Sequence, residues 1–160
     1  MSKKEKINIL IVDDEEDFLK SISKSLEVRD FNVIAVNRGE KAITAARENL
    51  IDIALVDLKM PGMNGEETLL ALKKENQWME VVILTGHGTI ESALSCKEGG
   101  AYSFLQKPCE LDILLETLVK AYKTRLMNRK KVDAEKIKEI LNIEASPWEI
   151  LRRLKEIDSE

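Results

Sequence analysis

The sequence predicts an α/β fold, a three-layer sandwich in which helices cover both faces of a parallel sheet. Over about the first 125 residues, short apolar runs alternate with amphipathic stretches, which is the pattern of repeated β-α units. The apolar runs are rich in Val, Ile and Leu and lack strict alternation, as expected for strands buried on both faces. Repeats of this kind, joined by right-handed crossovers, predict a doubly wound sheet.

The elements follow one another in a regular order. The predicted strands occupy residues 7–12, 31–36, 51–56, 81–85 and 101–105. Apolar residues at three- and four-residue steps follow each strand and predict a helix. These stripes are Phe18, Leu19, Ile22 and Leu26; Ala42, Ile43 and Ala46; Leu69 and Leu72; Ile90, Ala93 and Leu94; and Leu111, Leu114, Leu115, Leu118 and Tyr122. For a (βα)5 unit we expect the flavodoxin-like strand order 2-1-3-4-5.

Capping residues indicate where the predicted helices begin and end. Asn37 with Glu40, and Asn64 with Glu67, have the spacing of a capping box. Thr89 follows a glycine-containing turn and is placed to cap the fourth helix. The pair at 99–100, both glycine, is expected to end that helix.

A helical extension is predicted after the alternating part of the chain. We place the boundary after residue 125, which gives a main domain over 1–125 and an extension over 126–160. The fifth helix is expected to continue through a basic stretch, and further helices are predicted to open at Asp133 and at Ser146, where Pro147 and Glu149 follow in favourable positions. Their apolar stripes need a partner surface, so we expect the extension to act as a dimerisation or docking element.

Composition excludes several classes of protein. With 160 residues, 44% hydrophobic and 34% charged, the chain suits one globular domain with a short appendage. The net charge of -4 argues against general nucleic-acid binding. The apolar run at 7–12 is far shorter than the roughly 18 residues that span a bilayer, so no membrane partner is expected. Two cysteines, Cys96 and Cys109, make no disulfide framework, which favours a cytoplasmic location.

Acidic side chains follow two strands that the predicted order makes neighbours. Strand one is followed by Asp13 and Asp14, and strand three by Asp57. Ligand sites in open parallel sheets lie beyond the carboxyl ends of the strands, so we expect these carboxylates to share one crevice. Carboxylates this close raise one another's pKa unless a cation neutralises them. Mg²⁺, or Mn²⁺ in its place, is therefore the predicted cofactor.

Two further strand ends add complementary groups. Thr85 ends strand four and contributes a hydroxyl, while Lys107 follows strand five and contributes an ammonium. Together with the carboxylates and a divalent ion, these groups predict a site for a phosphoryl group. Asp57 is the predicted nucleophile, because it stands apart from the acidic pair and faces it across the crevice. His87, the only histidine, is expected to be an exposed loop residue and not a metal ligand.

Four segments of the chain resemble the receiver domain of bacterial two-component response regulators. They are Asp13-Asp14, Asp57-Leu58-Lys59-Met60-Pro61-Gly62-Met63-Asn64-Gly65, Leu84-Thr85-Gly86-His87-Gly88 and Phe104-Leu105-Gln106-Lys107-Pro108. The resemblance implies that Asp57 accepts a phosphoryl group from a sensor histidine kinase or a phosphotransfer protein. It also implies that Asp14 and Asp57 bind Mg²⁺ directly, Asp13 through water, and Lys59 through its backbone carbonyl. The Lys107–Pro108 bond is expected to be cis.

The same resemblance implies a conformational switch. Phosphorylated Asp57 would draw Thr85 inward and Phe104 would rotate into the space, which changes the face formed by the fourth helix, the fifth strand and the fifth helix for protein–protein output. Phe104 lacks the hydroxyl that many relatives carry as Tyr, so it cannot make an output hydrogen bond that needs that hydroxyl. Lys59 and His87 are implied to lie near the phosphoryl group and to tune its hydrolysis.

The sequence disfavours two classes of enzyme that also handle phosphoryl groups. A phosphohydrolase resembling the haloacid dehalogenases would carry Asp-x-Asp after strand one, whereas Asp13 and Asp14 are adjacent here. A Gly-rich phosphate loop with Lys-Ser/Thr is absent from the sequence, which disfavours nucleotide hydrolysis. Two alternatives stay open: a scaffold that is not phosphorylated, and a receiver fragment of a larger regulator whose effector domain is missing.

The predicted regulator is expected to act alone and to signal through contacts with a downstream protein. We expect no enzyme activity beyond self-phosphorylation and self-dephosphorylation at Asp57. Residues 126–160 are too few for an ordinary winged-helix domain, so direct DNA binding is not expected. Deletion of the residues after Arg125 is expected to leave phosphorylation intact and to alter self-association, with homodimerisation on phosphorylation as one role of the extension.

Overall fold

A computed structural model describes residues 6–130, 134–141 and 145–159 of the chain. Within these residues, a five-stranded parallel sheet has the order β2-β1-β3-β4-β5. The strands are β1 (Asn8–Val12), β2 (Asn32–Val36), β3 (Ile53–Val56), β4 (Glu80–Thr85) and β5 (Ser103–Gln106). The predicted α/β class and the predicted strand order are confirmed.

The described helices alternate with the strands and then continue beyond them. They are α1 (Glu16–Glu27), α2 (Gly39–Glu48), α3 (Gly65–Glu75), α4 (Ile90–Glu98), α5 (Leu111–Lys130), α6 (Ala134–Leu141) and α7 (Pro147–Ser159). In the described part of the chain, none of them combines the length and the apolar content needed to cross a bilayer.

The core has two halves, one on each face of the sheet. Successive side chains of a strand point to opposite faces. Ile9 and Ile11 of β1 accordingly lie in the half that α1 and α5 cover, while Leu10 and Val12 lie in the half that α2 and α3 cover. The sheet is therefore the middle layer of the sandwich.

Burial differs between the central strands and the edge strands. β3 and β4 are buried at every position, and β1 is buried at all but its first residue. The expectation of burial on both faces is wrong for β2 and β5, which are half-buried or exposed along their length. Each of these two strands lies at an edge of the sheet and has one neighbouring strand, so less of its surface is covered.

The helix starts agree with the predicted caps at two of three places. Asn64 and Thr89 each accept a hydrogen bond from the backbone N–H three residues on, at 2.9 and 3.0 Å. The predicted cap at Asn37 is wrong, because α2 begins one residue later, after an N-cap at Arg38 that makes no side-chain cap bond. Asn37 instead donates to Glu16 Oε1 at 3.3 Å.

Helix α4 ends as predicted, but its apolar stripe does not face the core. Its C-cap is Gly99, and Gly100 follows with a φ of +102°. Ile90 is 83% exposed and Leu94 is 59% exposed, whereas Cys96 is the buried residue of this helix. One side of α4 is thus an apolar surface.

The C-terminal helices extend the core of the main domain. Helix α5 runs from Leu111 to Lys130, so the predicted boundary after residue 125 falls within it. Helix α7 packs along α5, and its buried Leu151 and Leu154 belong to the same core half as Tyr122 of α5. The helix predicted at Ser146-Pro147 is confirmed as α7, while the start predicted at Asp133 lies outside the described residues.

A buried carboxylate of α7 binds three side chains of α5. Asp158 is 3% exposed and accepts hydrogen bonds from Tyr122 Oη at 2.6 Å, Arg125 Nε at 3.3 Å and Arg129 Nη1 at 2.9 Å. Burial alone would raise the pKa of Asp158, but the Tyr122 hydrogen bond and the two arginine charges hold that pKa below its usual range. Asp158 is therefore a charged anchor between α7 and α5.

A second buried carboxylate connects α7 to the sheet. Asp52 lies just before β3 and accepts a bond from the backbone N–H of Asn8 at 2.8 Å. Lys155 Nζ of α7 lies 2.9 Å from Asp52 Oδ2, and Arg125 Nη2 lies 3.4 Å from Oδ1. Helix α7 thus binds at the amino-terminal ends of β1 and β3, and the predicted site lies at the opposite, carboxyl ends of these strands.

Candidate functional site

The predicted acidic crevice lies at the carboxyl ends of β1 and β3. Val12 and Val56 are paired in the parallel register, so Asp13 and Asp57, the next residues, lie side by side. The backbone N–H of Asp57 donates to the carbonyl of Val12 at 3.0 Å. Asp13, Asp14 and Asp57 each offer a carboxylate oxygen, and these oxygens lie within 4.8 Å of one another. The structure brings all three predicted acids together.

The ammonium of Lys107 reaches into this crevice. Its Nζ lies 2.5 Å from Asp13 Oδ2 and 3.9 Å from Asp57 Oδ2. The exposed Glu15 is a further partner at 3.6 Å. The lysine side chain is 13% exposed, and the Lys107–Pro108 peptide bond is cis. Lys107 therefore places a positive charge between the acid after β1 and the acid after β3.

The charge of Lys107 offsets only part of the cost of burying Asp13. Burial raises the pKa of Asp13, and the proximity of Asp57 adds to that rise. The hydrogen bond from Lys107 and the backbone bond from Glu15 act in the opposite direction but do not cancel it. The carboxylate form of Asp13 is thus less favoured than in water, and further positive charge in the crevice would stabilise it.

The donor set fits a hard divalent cation. Asp57 is 2% exposed, and its Oδ1 has no hydrogen-bond partner among the residues that the structure describes. An unpaired buried oxygen is costly, and oxygen ligands are what Mg²⁺ prefers. Asp13, Asp14 and Asp57 are the side chains that would hold the ion, with the Lys59 carbonyl as the predicted backbone ligand.

Thr85 is fully buried at the end of β4, beside the strand that leads to Asp57. Its hydroxyl oxygen accepts the backbone N–H of His87 at 3.1 Å. Its carbonyl accepts the backbone N–H of Lys107 at 2.8 Å, which ties the end of β4 to the lysine. His87 is exposed, as predicted, and lines a cavity of about 330 Å³ together with Lys59 and Asn64.

Phe104 lies on β5 with its ring against the loop between β4 and α4. A Cβ at Gly88 would stand 2.6 Å from both Cε1 and Cζ of Phe104, so the ring occupies space that a side chain at position 88 would need. Phe104 also lines an apolar cavity of about 370 Å³ with Ile90 and Leu94. The loop that follows Thr85 and the surface of α4 therefore both contact this ring.

Sequence reasoning did not single out three residues that shape the site. Glu15 contacts Lys107, and the ring centroid of Phe18 lies 3.9 Å from Lys107 Nζ. A Cβ at Gly65 would lie 2.3 Å from the carbonyl oxygen of Asp57, so only glycine lets α3 start this close to the phosphoacceptor candidate. Phe18 belonged to an apolar stripe, and Gly65 ended the segment from Asp57 to Gly65 that resembles the receiver family. Neither pattern signalled these contacts.

Comparison with known proteins assigns the family. The sequence profile described as "Response regulator receiver domain" matches residues 9–119, well over half of the chain. The chain belongs to the response regulator receiver family. The receiver domain predicted from the four sequence segments is therefore confirmed. Receiver domains bind Mg²⁺ through acidic residues, and the cluster of Asp13, Asp14 and Asp57 is of that kind.

Two curated relatives carry names of different functions. A cyclic di-GMP phosphodiesterase of Thermotoga maritima is 34% identical over 122 residues, which is 76% of this chain and 33% of that protein. The transcriptional regulatory protein ZraR of Escherichia coli is 34% identical over 129 residues, 81% of this chain and 28% of that protein. The chain thus spans a third or less of the length of these curated relatives.

Two solved receiver domains have the same fold. The CheY-like response regulator receiver protein of Methanospirillum hungatei is 26% identical, with a TM-score of 0.73, and the match covers 76% of this chain and 97% of that one. A receiver domain from Clostridium thermocellum is 33% identical with a TM-score of 0.69, covering 78% and 97%. Nearly the whole of each neighbour is matched, while about a quarter of this chain lies outside the match.

Proposed function

We propose that this receiver domain is a phosphoaccepting switch, in which Asp57 receives a phosphoryl group from a sensor histidine kinase or phosphotransfer protein in a Mg²⁺-dependent reaction. The observation that carries the proposal is the environment of Asp57. It is 2% exposed, its Oδ1 makes no hydrogen bond within the described residues, and two carboxylates and an ammonium face it. This is a carboxylate surrounded by the groups that phosphoryl transfer requires.

The proposed reaction forms an acyl phosphate. An oxygen of Asp57 attacks phosphorus as the bond to the donor histidine nitrogen breaks, and the electron pair of that bond leaves with the imidazole. Bound Mg²⁺ supplies positive charge for the phosphoryl oxygens. Lys107, whose ammonium lies 3.9 Å from Asp57 Oδ2, would donate one of its three N–H groups to another phosphoryl oxygen. Thr85 accepts from His87 in the structure, and its own hydroxyl proton is thereby left for a phosphoryl oxygen.

The proposed output is a change of the face formed by α4, β5 and α5. A hydrogen bond from Thr85 to the phosphoryl group would shift the loop that packs on Phe104 through Gly88. The exposed Ile90 and Leu94 border the same ring, so its rotation would reshape an apolar surface suited to a protein partner. Moving such a switch from mostly off to mostly on takes about 5.5 kcal/mol of differential binding.

The relatives supply no output activity for this proposal. The matched segment is a third or less of each curated relative described above, so the phosphodiesterase and transcriptional roles in their names remain statements about those proteins. We propose a protein partner for the α4-β5-α5 face and keep a receiver acting within a larger regulator as the alternative. The choice between them does not affect chemistry at Asp57.

Intact-mass measurement tests the proposed chemistry. The full chain is incubated with acetyl phosphate and Mg²⁺, and we expect one labile phosphoryl adduct on the wild type and none on Asp57→Asn or after EDTA treatment. Asp112→Asn, an exposed aspartate of α5, is the matched control and is expected to form the adduct. A wild type without adduct would favour the unphosphorylated scaffold, and an adduct retained on Asp57→Asn would place the acceptor elsewhere.

A further inference from the structure

The ammonium of Lys107 contacts both carboxylates and an aromatic ring. Asp13 Oδ2 is 2.5 Å and Asp57 Oδ2 is 3.9 Å from Nζ, and the centroid of the Phe18 ring is also 3.9 Å away. A cation within about 6 Å of a ring centroid is attracted by the negative face of the ring. We infer that Phe18 is a positioning residue, which keeps the Lys107 ammonium in the crevice that holds Asp57.

The local structure explains why Phe18 reaches Lys107. Phe18 is the third residue of α1, which begins at Glu16 directly after the acidic loop. Helical side chains lean toward the helix amino terminus, so the ring leans toward that loop. Lys107 enters the crevice from the loop between β5 and α5. The ring and the ammonium therefore meet where these two loops face each other.

Without the ring, the ammonium would have an open side. Phe18 and Lys107 both line a cavity of about 470 Å³, together with Ile22, Pro108 and Leu111. Glu15 stands at 3.6 Å from Nζ with its side chain 60% exposed, so it offers a competing partner in contact with water. An aliphatic side chain at position 18 fills space but has no negative face. Loss of the ring would then release Lys107 toward this cavity and Glu15.

This inference rests on the proposed function, because Lys107 matters for the reaction only if Asp57 accepts a phosphoryl group. The alternative role for Phe18 is simple packing between α1 and the β5-α5 loop. Size and ring electrostatics distinguish the two roles. Phe18→Leu keeps an apolar side chain and removes the ring, whereas replacing Phe18 by its 4-fluoro and 3,4,5-trifluoro analogues keeps the ring shape and progressively weakens its negative face.

The experiment measures the rate of adduct formation with acetyl phosphate and Mg²⁺ on the full chain. We expect Phe18→Leu to be about 3- to 30-fold slower, the range of a cation–π contact. Phe18→Tyr should stay near the wild type, and the fluorinated series should slow in order of fluorine content. Ile22→Ala, which removes apolar volume from the same cavity but no aromatic ring, is the matched control and should keep the wild-type rate.

A second readout reports the contact independently of phosphorylation. The ring should shift the proton NMR signals of the Lys107 ε-methylene upfield, and this shift should disappear in Phe18→Leu but remain in Ile22→Ala. A wild-type rate in Phe18→Leu, or no dependence on fluorine content, would overturn the positioning role while adduct formation on wild type upholds the proposed function. Absence of the adduct on wild type would overturn both.

Discussion

The buried hydroxyl of Tyr122 gives a sharp test of how α7 is held to the main domain. Tyr122 is completely buried, and its hydroxyl donates to Asp158 Oδ2 at 2.6 Å. Tyr122→Phe removes this donor and keeps the ring and its packing against the core. The variant therefore isolates one hydrogen bond between α5 and α7 with little change in volume.

The expected loss follows from the character of that bond. A hydrogen bond to a charged group contributes about 1.5–3 kcal/mol. Arg125 and Arg129 still pair with Asp158 in the variant, at 3.3 and 2.9 Å, so the carboxylate keeps two partners. We therefore expect the lower part of the range, about 1.5–2 kcal/mol, in the free energy of unfolding. For a protein of this size that corresponds to a fall of roughly 3–8 °C in Tm.

Urea unfolding followed by tryptophan fluorescence measures this loss, since the chain carries Trp78 and Trp148. The matched control is Tyr102→Phe at the other tyrosine of the chain, which is half-buried and makes no hydrogen bond through its hydroxyl within the described residues. We expect the control to stay within about 0.5 kcal/mol of the wild type. Equal midpoints for the two variants at pH 7 would refute the reasoning.

The effect should also depend on pH with a defined sign. The folded-state pKa of Asp158 is lowered, so its contribution to stability is complete above the unfolded carboxyl pKa of about 4 and is lost as the pH falls through the lowered value. The pKa of Tyr122 is raised by burial and by Asp52, so its hydroxyl remains a donor throughout this range. The difference between wild type and Tyr122→Phe should therefore be constant from pH 5 to 8 and shrink in acid.

Two further predictions concern the extension and the start of α3. Deletion of residues 131–160 would expose the buried Leu126 and remove Asp158 from Arg125. The free energy of unfolding, measured by urea titration, should therefore fall by at least about 3 kcal/mol. An unchanged urea midpoint would mean that α7 contributes little to the stability of the main domain. Gly65→Ala places a Cβ 2.3 Å from the Asp57 carbonyl oxygen, so it should lower the free energy of unfolding by about 1–3 kcal/mol and slow adduct formation. Gly86→Ala is the control: the nearest atom to its Cβ lies at 4.0 Å, and we expect neither effect. Equal stability of these two alanine variants would contradict the crowding at Asp57.

The effect expected of the deletion differs from the one that the sequence suggested. From its apolar stripes, the sequence predicted that the extension is a dimerisation or docking element for another surface. In the structure, Leu151, Leu154 and Ile157 of α7 share a core half with α5, and Lys155 binds Asp52 at the edge of the sheet. The docking partner in this structure is the main domain of the same chain. A stripe shows that a helix needs a partner surface but contains no information about which surface meets it.

Two predictions from local sequence patterns were wrong: the cap at Asn37 and the burial of the apolar stripe of α4. Glu40 has the spacing of a capping box with Asn37, yet Glu40 accepts the backbone N–H of Met63 at 3.1 Å, and Asn37 bonds to Glu16. The stripe of α4 predicts burial, yet Ile90 and Leu94 are exposed. In each case the deciding contact, or its absence, comes from residues distant in the sequence.

The sequence alone determined the repeat of strands and helices, the order of the strands in the sheet and the proximity of Asp13 to Asp57. The spacing of apolar residues defines each short element, and the right-handed crossovers between successive strands fix their order. Only the tertiary structure decided that Phe18 lies over Lys107 and that Asp158 meets Tyr122. These pairs join residues far apart along the chain, and their geometry depends on how whole elements pack. A side chain's partner is set by that packing, and no local pattern encodes it.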